Sequence, residues 1–144
     1  MMTYYDMEKM EHLYRLIHKK FIAEWNAVSP LNLTLSQANM LQKLHRESQR
    51  VSDLAELLHM TAGGLTLLCD KLEEKGLILR YRDEVDRRSV NLKISEQGEQ
   101  VVIAIKSMKN GLFQKMIQGV PDEELQAMDK LHTRILRNLE VESC

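Results

Sequence analysis

The charges in "RYRDEVDRRSVNLK" are spaced in a way that could hold a polyanion. Between Arg80 and Lys93 lie five bases (Arg80, Arg82, Arg87, Arg88, Lys93) and three acids (Asp83, Glu84, Asp86). The plainer reading is a solvated hairpin whose charges keep it soluble. Here, however, the charges are ordered. Asp86, two residues before Arg88, can hold that guanidinium in an extended pose at a tip. An extended arginine suits a narrow minor groove, where the negative potential of DNA is concentrated.

A second candidate is "TAGGLTLLCDKL", residues 61–72. Thr61 can cap a helix whose first amides hold a phosphate oxygen. Ala62, Gly63 and Gly64 are small enough for close approach, Thr66 is polar, and Lys71 can reach phosphate. The plainer reading of the glycines is tolerance, at roughly 1 kcal/mol each against alanine. Leu68, Cys69 and Leu72 read as core, with Cys69 acting as a small hydrophobe.

Other chemistries find little support. Cys69 and Cys144 lie far apart and form no C-x-x-C pair, so neither a disulfide framework nor a zinc ribbon is expected. The five histidines (His12, His18, His45, His59, His132) include no close i, i+4 pair with one another or with cysteine, and no metal site is expected. There is no nucleophile–base arrangement or phosphate loop, so an enzyme is the least favoured reading.

The elements that must position these residues follow from composition and period. The 144 residues are 44% hydrophobic and 28% charged, the balance of a folded soluble chain. Nine methionines, 5% aromatics, six glycines and two prolines favour helices packed on helices. A formal net charge of −1 gives no sign of nucleic acid, although a small basic feature can be offset by acids elsewhere. No apolar run approaches the ~18 residues of a membrane span. The first residues lack a signal-peptide core, so a cytoplasmic setting is expected.

Met10, Leu13, Tyr14, Ile17, Phe21, Trp25 and Val28 mark one face of a long helix from about Thr3 to Val28, ended by "SPLN". Thr34 and Gln37 form a capping box for a second helix with Met40, Leu41 and Leu44 inward. A third helix, "VSDLAELLHM", turns Leu54, Ala55, Leu57 and Leu58 inward, and a fourth runs from Thr61 to about Lys75, ended by Gly76. "LILRYRDE" and "RSVNLKIS" then alternate as a two-stranded hairpin, with Val90, Leu92 and Ile94 opposite Asn91 and Lys93. Ser95 caps a fifth helix with Val101, Ile105, Met108, Leu112 and Met116 on its stripe. Pro121 at a first helical position opens a sixth, carrying Leu125, Met128, Leu131, Ile135 and Leu139. The expected fold is mainly α with a small β-hairpin: a winged helix-turn-helix module flanked by long dimerisation helices. The divisions are residues 1–33, 34–95 and 96–144. The outer stripes are too long for so small a core and would bury against a second chain.

"DRRSVNLKISEQG", Asp86 to Gly98, resembles the signature of the MarR family of bacterial regulators. Its pattern is Asp-x-Arg, five residues, an apolar residue, Thr or Ser, two residues, then Gly. "LTLSQANML", "VSDLAELLHM" and "CDKLEEKGLILR" are similar to the family's second helix, third helix, and recognition-helix end with wing start. The resemblance covers about Leu33 to Gly98.

It implies a homodimer whose first, fifth and sixth helices form the interface, binding a double-stranded, pseudo-palindromic operator. The recognition helix, 61–75, would enter the major groove and the wing, 80–93, the minor groove, with Arg88 as the inserted side chain. Half-sites would lie about 10 bp apart. Many relatives are ligand-responsive repressors that bind small aromatic or phenolic anions. Tyr14, His18, Trp25 and Met40 would line such an effector pocket, although interface core is the plainer role for them. Leu67 departs from the family, which often places Arg or Asn there. Leucine cannot make a bidentate bond to guanine, leaving thymine-methyl packing or weak sequence reading. A winged-helix module that binds protein and not specific DNA is the alternative that Leu67 and the near-neutral charge motivate.

Overall fold

The computed structural model describes residues 6–141. They form α1 (Met7–Val28), a 3-10 turn (Pro30–Asn32), α2 (Leu35–Arg46), β1 (Gln49–Arg50) and α3 (Val51–Leu57). Then follow α4 (Ala62–Glu74), β2 (Ile78–Arg82), β3 (Val90–Ile94), α5 (Glu96–Met116) and α6 (Asp122–Val141). The chain divides into two compact units, Met1–Leu112 and Phe113–Cys144, with the break inside α5. The expected helix start at Thr3 and the terminal Cys144 lie outside the described residues.

In the first unit, Trp25 near the end of α1 is wholly buried, and its indole N–H donates to the Leu33 carbonyl at 2.9 Å. A buried indole thereby keeps its hydrogen bond. The Ser29 hydroxyl donates to the same carbonyl at 2.5 Å, fastening the reversal between α1 and α2. The capping box is present: the Gln37 amide donates to Thr34 Oγ1 at 3.1 Å, and the Thr34 amide to Gln37 Oε1 at 2.9 Å. Ala38, Met40, Leu41 and Leu44 of α2 then pack with Leu54, Leu65, Leu72 and Leu92 in one core.

One inward assignment changes. In α3 only Leu54 is fully buried, while Leu57 is half exposed, because a two-turn helix presents a narrow inward face. In β3 Asn91 alternates with Leu92 as expected and is buried as well, in the central strand, where Arg50 of β1 and Tyr81 of β2 pair with it. The sheet also has three strands, in the order β1-β3-β2, all antiparallel. The pair Gln49–Arg50 adds to the expected hairpin, opposite Leu92 and Asn91. A two-residue strand is too short to show a period of two.

Glycines set two junctions. Gly76, at φ 73°, ends α4 in the left-handed region that favours glycine. Gly98 in α5 is buried where a Cβ would fall on the Leu77 carbonyl oxygen and 2.6 Å from Ile94 Cγ1. Ser95 caps α5, accepting from the Gly98 amide at 3.0 Å.

In the second unit, Gly119 at φ 77° turns the chain. Pro121 stands just before α6, not at its first position; its carbonyl accepts from the Glu124 and Leu125 amides. Asp122, Glu123 and Glu124 occupy the first turn, favoured by the helix dipole. Met128, Leu131, Leu136 and Leu139 of α6 are exposed, as are Leu13 and Ile17 of α1.

Candidate nucleic-acid interface

The hairpin loop between β2 and β3 is built around two aspartates. Asp83 Oδ1 accepts from the Val85 amide at 2.9 Å and lies 3.5 Å from that of Asp86, and the Asp83 amide donates to the Ser89 carbonyl. The backbone N–H groups of Val85 and Asp86, with smaller help from Arg50 and Asn91, hold the Asp83 carboxyl below its ordinary value. Asp86 Oδ1 accepts from the Arg88 amide at 3.1 Å and lies 3.4 Å from its Nε. The Arg88 side chain is 94% exposed, so Asp86 steers it without covering it.

The other wing bases differ in role. Arg80 is gripped by two carboxylates of α4, Asp70 and Glu73, the latter at 2.7 Å. It ties the fourth helix to the wing. Arg82 donates to the Arg87 carbonyl at 2.8 Å and closes the hairpin from inside. Arg87 and Arg88 are exposed at the tip, and Lys93 lies over the Tyr81 ring at 5.4 Å. Sequence reasoning grouped Arg80 and Arg82 with the tip bases; their partners within the chain are five to ten residues away and the fold brings them together.

The fourth helix starts as expected. Thr61 Oγ1 accepts from the Gly64 amide at 3.1 Å. Leu65, Leu68, Cys69 and Leu72 face the core, and burial pushes the Cys69 thiol up. The opposite face exposes Ala62, Gly63, Thr66, Leu67, Asp70 and Lys71. Its fold and its wing lie within the first unit, as does one cleft of ≈870 Å³ between α2 and α5. Asn39, Gln42, Lys43 and Arg46 line it from α2, with Val102 and Lys106 among those from α5. Beside it, Lys109 donates at 2.5 Å to both Asn39 Oδ1 and Gln42 Oε1. Burial lowers the Lys109 pKa. Of the four residues expected around an effector, Trp25 and Met40 are wholly buried, while Tyr14 and His18 lie exposed on α1.

Three short helices and a three-stranded sheet with an arginine-tipped wing define a winged helix-turn-helix protein. Residues 33–90 match the model of the MarR family. The HTH-type transcriptional regulator YpoP of Bacillus subtilis (strain 168) is 29% identical over 130 residues, covering 90% of this chain and 92% of YpoP. The structure of S. aureus MepR in complex with DNA is similar at a TM-score of 0.81 and 25% identity, over 96% of this chain and 99% of that one. The regulator BldR from Sulfolobus solfataricus is similar at 0.71 and 29% identity, over 89% and 92%. Over residues 33–90 the chain thus matches the MarR family, and over most of its length it is similar to transcription regulators, one of them seen on DNA.

Proposed function

We propose that this regulator acts as a homodimer that binds a pseudo-palindromic operator, with α4 in the major groove and the wing in the minor groove. The observation that carries this reading is Arg88, exposed at the wing tip and aligned by Asp86. Lys71, Arg87 and the amides at the start of α4 supply phosphate contacts, which position the protein without reading sequence. Arg80 and Arg82 act indirectly, by holding wing and helix in register. The relation to MepR, which has been seen on DNA, supports the docking mode. The exposed apolar stripes on α1 and α6 support self-association.

Repression is released by a small organic anion, aromatic or phenolic, held in the cleft between α2 and α5. Lys43, Arg46 and Lys106 supply charge there, and Leu58 and Val102 an apolar wall. In this reading the cleft residues take the place of Tyr14, His18, Trp25 and Met40; the complete burial of Trp25 and Met40 within the chain supports that choice. For release, the ligand must prefer the dimer geometry that fits DNA less well.

The test is selection of bound duplexes from random DNA, followed by titration with aromatic carboxylates and phenols. Enrichment of a two-fold site with half-sites about 10 bp apart supports the reading. If no sequence is enriched at low salt while a protein partner co-purifies, the protein-binding alternative takes its place.

A further inference from the structure

The exposed face of α4 carries almost no free hydrogen-bonding group over its first two turns. Thr66 Oγ1 donates to the Ala62 carbonyl at 2.9 Å, and Thr61 Oγ1 accepts from the Gly64 amide. Asp70, one turn further on, is held by Arg80. The remaining surface is the Ala62 methyl, the bare backbone at Gly63, the Thr66 methyl and a Leu67 side chain that is 60% exposed. No Arg, Lys, Asn or Gln stands between Ala62 and Leu68, so no side chain there can make a bidentate bond to a purine.

Gly63 adds an independent observation. A Cβ at this position would meet nothing within 4 Å in the chain itself. Alanine would therefore fit the fold and favour the helix. The glycine leaves the backbone of this exposed face bare, so that a duplex could approach it closely. Lys71 follows Leu67 one turn further along the exposed side of α4, and the wing of the same unit exposes Arg87 and Arg88. An apolar centre flanked by cations is complementary to a major groove rich in methyl groups, bordered by phosphates.

We propose that α4 selects its half-site by packing Leu67 and the Thr66 methyl on thymine C5-methyl groups, with Gly63 admitting the duplex closely. Thymine is the one standard base that shows a methyl in the major groove. This rests on the docking proposed above and names what that helix reads: a short run of A·T pairs with thymine methyls turned toward Leu67.

The experiment uses the full-length protein and a duplex selected from random DNA, with each thymine replaced singly by deoxyuridine. That change removes the methyl and leaves every hydrogen-bonding group in place. One or two positions per half-site should lose about fourfold in affinity, the burial of one methyl group. Thymines under the wing should be insensitive, because their methyls lie in the other groove. Leu67→Ala should lose the thymine preference at one position per half-site, and Thr66→Ser should shrink the difference at its own position. Gly63→Ala should raise thermal stability while weakening DNA binding.

A selected site that tolerates uracil at every position overturns the proposal and leaves the regulator reading standing. Equal losses for Leu67→Ala on thymine and uracil sites, with the thymine preference kept at every position, overturn it too. Failure to select any DNA counts against the docking itself and, with it, this inference.

Discussion

Arg88 shows how one residue is made useful by its neighbour. A free arginine on a hairpin tip samples many rotamers, and ordering it on DNA costs entropy. Asp86 takes part of that cost within the free protein by accepting from both the amide and Nε of Arg88. Arg88→Ala is therefore expected to weaken operator binding about tenfold or more and to lower the salt slope by about one contact, measured by fluorescence anisotropy across a salt series. Glycines give the opposite kind of residue-scale prediction. Gly98→Ala places a methyl against the Leu77 carbonyl and Ile94, so urea unfolding should show a loss of about 1–3 kcal/mol, the usual cost of overpacking. The sequence pattern marked Gly98; it did not say that the reason is the backbone of Leu77, in the turn between α4 and β2.

At the scale of elements, the wing loop is a carboxylate-centred turn. The folded loop favours the ionised Asp83, so its pKa is below the unfolded value. The stabilisation is fully present above the ordinary carboxylate range, near pH 4, and is lost as pH falls through the lower, folded value. Amide resonances of Val85 and Asp86 should titrate together, with a midpoint below that of an ordinary aspartate; Asp83→Asn should remove this transition. Arg80 works between elements. Because Asp70 and Glu73 lie one turn apart on α4, a single guanidinium can bond both and fix the helix against β2. The charge pattern alone placed Arg80 with the DNA contacts, since a linear list of bases does not show which acids will face them.

For the whole molecule, the decisive feature is apolar surface left uncovered by the chain's own described residues. Leu13 and Ile17 on α1, and Met128, Leu131, Leu136 and Leu139 on α6, keep 40–62% of their surface. Stripes of this kind stay soluble by pairing. If folding and dimerisation are linked, the thermal midpoint should rise with protein concentration. Sedimentation should show twice the chain mass of 16.8 kDa, and Leu131→Lys should shift the molecule toward monomer. A concentration-independent midpoint at the single-chain mass would rule out the homodimer.

Much of this was legible in the sequence because it is written in short-range rules. Helical period gave the six helices, the Thr34–Gln37 pair gave a cap, and Asp86 with Arg88 gave the steered tip. These depend on residues two to seven apart, and local geometry decides them. What only the tertiary structure decided is long-range. The third strand comes from residues 49–50 reaching 91–92, and with it the burial of Asn91 between two neighbouring strands. The internal role of Arg80 comes from carboxylates on another element, and the location of the cleft from α2 meeting α5. Burial of Trp25 and Met40 likewise follows from which faces meet across the core. A one-dimensional pattern tells which side chains share a face; the packing of one element on another decides what that face meets.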